Sequence, residues 1–328
     1  MKKLIYLISL VLLFSCGPTR RTPHPSPTPT PIPVPDPDNI TDINKKASVM
    51  KERLTVGFLE NKGWVVYRQN NQYVNQGNSM YWSGIAMASL NCLESQPIYT
   101  AFELSAQVRE GAFVRFDPIP EQYQAGDETF LEGEYATMFG LVSRYNACAK
   151  ENDQEAKKIK NIWSLHKDFV TLNEMELYPT TEDKVTTEIN YVWQTVSKYL
   201  GVGNIVNYTL GTKEEFEKAI LAWATEVNTS HTGCEKVHNA TILAMTLDGM
   251  NDKVSDATKQ QFCQTAQGMD IPLTDFWCFG EDQEKFLKDF KVNAWQYRNS
   301  KCSWDKPDGV AGLETPALDF LLVYKKRS

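Results

Sequence analysis

The residues of this chain that could do chemistry are carboxylates set beside imidazoles and aromatic rings. Asp127 and Glu128 fall together where a helix would begin, with Glu132 and Glu134 just beyond. One such acid, turned into a cavity opposite a second carboxylate, would form the pair that cleaves a glycosidic bond. Asp305, Asp308, Glu314 and Asp319 are available for the opposite side, and spacing does not choose among them. The same acids suit a plain helix N-terminus, whose partial positive charge favours anions. His166 sits in Trp163-Ser164-Leu165-His166-Lys167-Asp168-Phe169. Its imidazole titrates near neutrality and could give or take a proton, or simply hydrogen-bond inside a core.

His231, Cys234 and His238 spell H-x2-C-x3-H, a spacing that zinc accepts. No fourth ligand stands nearby and such a cysteine can instead be bridged, so neither a metal nor a cofactor is expected. Toward the C-terminus, Trp295 to Pro316 is dense in Trp, Arg and acids. Trp304 and Glu314 there could stack on and hydrogen-bond a sugar, or the run could close the fold through Arg–Trp stacking. Trp82, Arg115 and Trp163 are the other side chains suited to holding such a ligand. A Gly-rich phosphate loop and a Gly-x-Ser-x-Gly elbow are both missing, which weakens nucleotide and serine-hydrolase chemistry.

The elements that must position these groups are helices, and the fold class expected is all-α. Leu131, Tyr135, Met138, Phe139, Val142 and Tyr145 line one helical face. Val185, Ile189, Val192, Val196 and Tyr199 line another, with Gly201 as a C-terminal cap. Thr212 and Glu215 make a capping box ahead of Phe216, Ile220, Trp223 and Val227. Phe286, Phe290, Ala294 and Tyr297 mark a further helix, and shorter ones are predicted at 42–55, 80–92, 98–109, 234–248, 254–266 and 316–324. Thr315-Pro316 suits an N-cap with proline at the first helical position. Strand signals are few. Gly63 to Tyr67 is a candidate strand, with Ala112 to Phe116 as its expected partner.

Seven cysteines are present, and the first ends a short apolar run: Lys2 and Lys3, then Leu4 to Phe14, then Ser15-Cys16. Leu13-Phe14-Ser15-Cys16 resembles the lipobox of bacterial lipoprotein signals, with Phe14 bulkier than the usual residue at its position. The run is too short to cross a hydrocarbon layer of about 30 Å. The resemblance implies removal of residues 1–15, acylation of Cys16 with fatty acids such as palmitate, and attachment to a bilayer. Residues 16–39 then form a proline-rich linker, with every second residue proline from Pro23 to Pro37, and residues 40–328 a single helical domain. At about 3.1 Å per residue in polyproline geometry, the linker holds that domain away from the membrane. Gly17 after Cys16, where Asp would resemble an inner-membrane retention signal, points to the outer membrane if the cell has two. The formal charge is −7, and losing Lys2 and Lys3 with the leader makes it −9. An acidic body of this kind does not suit nucleic acid.

With Cys16 acylated, Cys92, Cys148, Cys234, Cys263, Cys278 and Cys302 remain, an even set suited to disulfides outside the cytoplasm. Asn78 to Leu90, Gly111 to Pro118 and Gly126 to Thr129 resemble the helix openings and rim loop of the helical-hairpin toroids, the (α/α) barrels. Many such toroids act on glycans, so the resemblance implies a saccharide site on a ring of hairpins. In that ring, helices one hairpin apart run parallel, which favours Cys92–Cys148. Cys234 and Cys263 would meet at one end of an antiparallel pair, and Cys278–Cys302 would need the chain to fold back along a helix. Two functions remain open: an envelope lipoprotein that binds or scaffolds glycan or protein without catalysis, and a glycan-active hydrolase or lyase.

Overall fold

Apolar residues at helical spacing give a fold made almost wholly of helices. The computed structural model describes residues 36–52, 54–55, 63–65, 67–69, 72–74, 79–108, 111–113, 131–150, 152–172, 186–203, 211–231, 233–269, 271–280, 283–290 and 314–327. Among the described residues there are twelve α-helices. They are α1 (Ile43–Glu52), α2 (Ser79–Ser89), α3 (Gln96–Val108), α4 (Leu131–Arg144), α5 (Asp153–Leu172) and α6 (Thr187–Leu200). There follow α7 (Lys213–Ser230), α8 (Cys234–Gly249), α9 (Asp256–Ala266), α10 (Pro272–Phe279), α11 (Gln283–Asp289) and α12 (Glu314–Lys325). No described helix is long and apolar enough to cross a membrane.

The helix ends follow local chemistry. The Thr212–Glu215 capping box starts α7, and Gly201, at φ 71°, closes α6. Ser255 accepts the Thr258 N–H at the start of α9. Asn152 accepts the N–H groups of Gln154 and Glu155 and so opens α5, a twenty-residue helix outside those predicted from caps and apolar stripes. α12 begins at Glu314, so Pro316 falls inside its first turn, where its missing N–H removes no helical bond. Ala294 and Tyr297 lie outside the described residues, and α11 ends before them.

β1 (Tyr67–Gln69) pairs antiparallel with β2 (Gln72–Val74), Tyr67 opposite Val74. Residues 114–116 of the strand partner expected for Gly63 to Tyr67 lie outside the described residues. Phe113 packs into the core, edge-on to Phe102 at 5.4 Å and stacked on the His166 ring at 4.3 Å.

Three helices form the centre, and their register shows how they run. A Cβ on Gly84 would lie 2.4 Å from the Ala136 carbonyl oxygen, and one on Gly140 would lie 2.6 Å from the Gly84 oxygen and the same distance from Met87 Cε. Just past both helices Cys92 is bonded to Cys148. Positions therefore advance together, and α2 and α4 lie parallel at backbone-contact distance. At the start of α8, His238 and Asn239 reach Tyr81 of α2, while Gly249 at its end accepts from Asn146, just after α4. α8 therefore runs parallel to the other two. All eleven residues of α2 are buried, which explains its uninterrupted apolar and small-residue sequence.

Of the three disulfide pairings drawn from the ring, Cys92–Cys148 is present. Cys234–Cys263 and Cys278–Cys302 are not, because Cys263 is bonded to Cys278. α9 and α10 pack with Phe262 edge-on to Trp277 at 5.6 Å, which brings the next residue of each helix together. Cys234 is also disulfide-bonded, and Cys16 and Cys302 lie outside the described residues.

Candidate functional site

Parallel central helices put their N-terminal turns at one end of the bundle, and polar side chains gather there. Tyr81 is the third residue of α2, His238 and Asn239 the fifth and sixth of α8, and Asp319 the sixth of α12. The Tyr81 hydroxyl donates to Asn239 Oδ1 at 2.7 Å and lies 2.8 Å from His238 Nδ1. His238 Nε2 lies 3.3 Å from Asp319 Oδ1. A phenol has one proton, so while it sits on Asn239 the imidazole Nδ1–H donates to the phenol oxygen. The four side chains thus form one continuous chain of hydrogen bonds across α2, α8 and α12.

Burial makes this network costly unless every group is matched. Asp319 is 1% exposed by side chain, and its Oδ2 has no hydrogen-bond partner. Burial pushes the Tyr81 phenol well above its usual range, and the negative charges of Asp319, Glu132 and Glu235 push it the same way. Tyr81 is therefore a proton-bearing donor at any physiological pH. Glu132 and Glu235 are each the second residue of their helix, where an anion complements the helix dipole. Tyr135 and the half-buried Trp223 ring, 6.3 Å apart, lie along the same end.

A second buried histidine stands on the outer side of α4. His166 Nδ1 is 2.8 Å from the Gly111 carbonyl oxygen and its Nε2 is 2.8 Å from Glu134 Oε2. Both neighbours are acceptors. Either the imidazole carries two hydrogens, or the carboxyl lends one, and in both cases the pair has no net charge. The ring is fully buried between Phe113 and Trp163. His166 thereby ties α4, α5 and the Gly111 turn together.

The other predicted site residues divide clearly. Trp163 is a core residue whose indole N–H donates to Ser197 Oγ at 2.8 Å and whose ring lies 5.0 Å from Trp193. It offers no face to a ligand. Trp82 is buried edge-on against Tyr81 at 4.7 Å, next to the polar chain rather than across an open groove. Glu314 opens α12. Cys16, Arg115, Asp127, Glu128, Trp304, Asp305 and Asp308 lie outside the described residues. Of the acids considered as a partner for Asp127, Asp319 is the one with a described side chain, and it belongs to His238. The zinc spacing dissolves in the fold, since Cys234 is bridged and His238 faces Tyr81 and Asp319.

Sequence reasoning missed Tyr81 and Asn239 as site members. Tyr81 lay in a run read as a helix opening, and nothing local singled it out. No protein-family model, no curated protein and no solved structure matches this chain.

Proposed function

We propose that this chain is an envelope lipoprotein: Cys16, acylated after loss of residues 1–15, holds an extracytoplasmic helical body on a proline tether, where it binds or scaffolds envelope components. The supporting observation is the body's use of cysteine. Cys92–Cys148 and Cys263–Cys278 are disulfides, which persist in an oxidising compartment and not in the cytoplasm. An acidic body with no membrane-spanning helix among its described residues needs a covalent lipid to stay at a bilayer. The test is fractionation of cells expressing the wild type and Cys16→Ser. Wild type is expected in the membrane fraction and Cys16→Ser in the soluble one; equal membrane retention refutes the anchor.

A glycan-active body is the second reading, and the Tyr81–His238–Asp319 chain favours it. A phenol held protonated, hydrogen-bonded to an imidazole that is itself held by a carboxylate, is an acid–base arrangement. Loss of turnover across a glycan panel in Tyr81→Phe, with His166→Ala read for stability alone, supports it. Unchanged turnover in Tyr81→Phe removes it.

A further inference from the structure

We infer that Cys234 is bonded to Cys302, which cross-links the start of α8 to the chain leading into α12. Cys234 is in a disulfide. Cys92–Cys148 and Cys263–Cys278 occupy four of the other cysteines, so Cys16 and Cys302 remain as partners. The choice between those two rests on the lipoprotein reading above. A disulfide forms from a thiolate, and a Cys16 sulfur alkylated by diacylglycerol is a thioether with no thiolate to offer. Cys302 is left.

Chain length allows the bond. Cys234 lies one helical turn ahead of His238 on α8, about 6 Å along the axis, and Glu314 lies about 7.5 Å ahead of Asp319 on α12. His238 and Asp319 are in hydrogen-bond contact, so Glu314 is within roughly 25 Å of Cys234 whichever way α12 runs. The twelve peptide steps from Cys302 to Glu314 can extend to about 40 Å. Cys302 can therefore bring its Cα inside the separation of about 7 Å that a disulfide needs. The bond forms by exchange with the disulfide of an exported thiol oxidant. The two thiols of this chain give up two hydrogens, protons and electrons together, and the oxidant leaves as a dithiol. The Cys263–Cys278 loop is then nested inside a larger one, and the two helices that His238 and Asp319 join are tied covalently as well. With Cys16 acylated, the mature chain has no free thiol, and so neither a thiol nucleophile nor a thiolate ligand for a metal.

The experiment is mass spectrometry of the detergent-extracted wild-type protein, denatured, treated with iodoacetamide and cut with trypsin without reduction. The tryptic peptide 219–236, which holds Cys234, is expected joined to the peptide that begins at Cys302, and the two are expected to separate on reduction. No cysteine is expected to carry the alkyl group before reduction. Cys234 found alkylated overturns the inference and leaves the acylation of Cys16 standing. Cys234 joined to Cys302 of a second copy, seen as a dimer on a non-reducing gel, does the same. Cys234 joined to Cys16 overturns the inference and the acylation together. The Cys234–Cys302 pair beside an alkylated Cys16 upholds the bridge and refutes the acylation.

Discussion

Placing an alanine at Gly84 tests the close parallel contact that brings the polar end of the bundle together. The new Cβ would lie 2.4 Å from the Ala136 carbonyl oxygen and 2.5 Å from its carbon. Ordinary contact begins near 3.4 Å, so α2 and α4 must separate by about 1 Å. No side chain can move to spare them, because the obstacle is helix backbone. Overpacking of this kind costs about 1–3 kcal/mol or more, and alanine's better helix propensity returns about 1 kcal/mol. Since the clash is with backbone, the expected net loss is about 2 kcal/mol. Gly249→Ala is the internal comparison. Its Cβ would meet Val142 Cγ1 at 3.2 Å and Asn146 Nδ2 at 3.5 Å, both side-chain atoms, so its expected change is within about 1 kcal/mol. Urea denaturation followed by tryptophan fluorescence and circular dichroism measures both. A Gly84→Ala protein as stable as wild type, or matched by Gly249→Ala, refutes the backbone contact.

Arg144→Met is expected to cost roughly 3–5 kcal/mol in the same assay, because it strands a part-buried carboxylate. The guanidinium bonds Glu155, Ser95, Gln96 and the Cys92 carbonyl, and lies 4.2 Å from the centre of the Tyr99 ring. Removing Cys92–Cys148 should cost about 4 kcal/mol and Cys263–Cys278 about 3 kcal/mol from loop closure, since they span 56 and 15 residues. Paired Cys→Ser variants compared under oxidising conditions test that order. Lys325 donates to the Ala88 and Leu90 carbonyls at the end of α2, and burial lowers its ammonium to about 8 from 10.5. The unfolded chain then binds that proton more tightly, so its stability penalty is full below pH 8 and is relieved as pH rises toward 10.5. Wild type should therefore gain stability relative to Lys325→Gln between pH 7.5 and 9.5, and parallel curves would count against this account. Above pH 10 the phenols of buried Tyr81 and half-buried Tyr191, both raised, lower the stability of wild type and variant alike, because the folded state keeps protons that the unfolded chain releases.

Helices were legible wherever their caps or stripes are local. The Thr212–Glu215 box, Gly201 and the Leu131–Tyr145 stripe each survive in the structure within a few residues. α5 was missed although Ile159, Ile162, Trp163, His166 and Val170 are its buried face. The histidine in the middle of that stripe read as chemistry rather than core, because burial of an imidazole depends on acceptors from α4 and the Gly111 turn. Disulfide choice turned on the same limit. Cys263 and Cys278 meet because α9 and α10 pack with Phe262 against Trp277, a contact between helices that no spacing encodes. The Tyr81 chain draws on residues as far apart as 81, 238 and 319, joined only by tertiary packing. The H-x2-C-x3-H spacing around His238, where no metal is expected, holds no sign of that network.

The proposed acylation of Cys16 can be weighed directly. Trypsin cutting after Arg20 would release Cys16-Gly17-Pro18-Thr19-Arg20 from the mature protein. Mass spectrometry of the detergent-extracted protein should find this peptide beginning at Cys16 and carrying diacylglycerol and fatty acid. A chain that retains Met1 to Ser15, or a Cys16 peptide with an unmodified thiol, would contradict it.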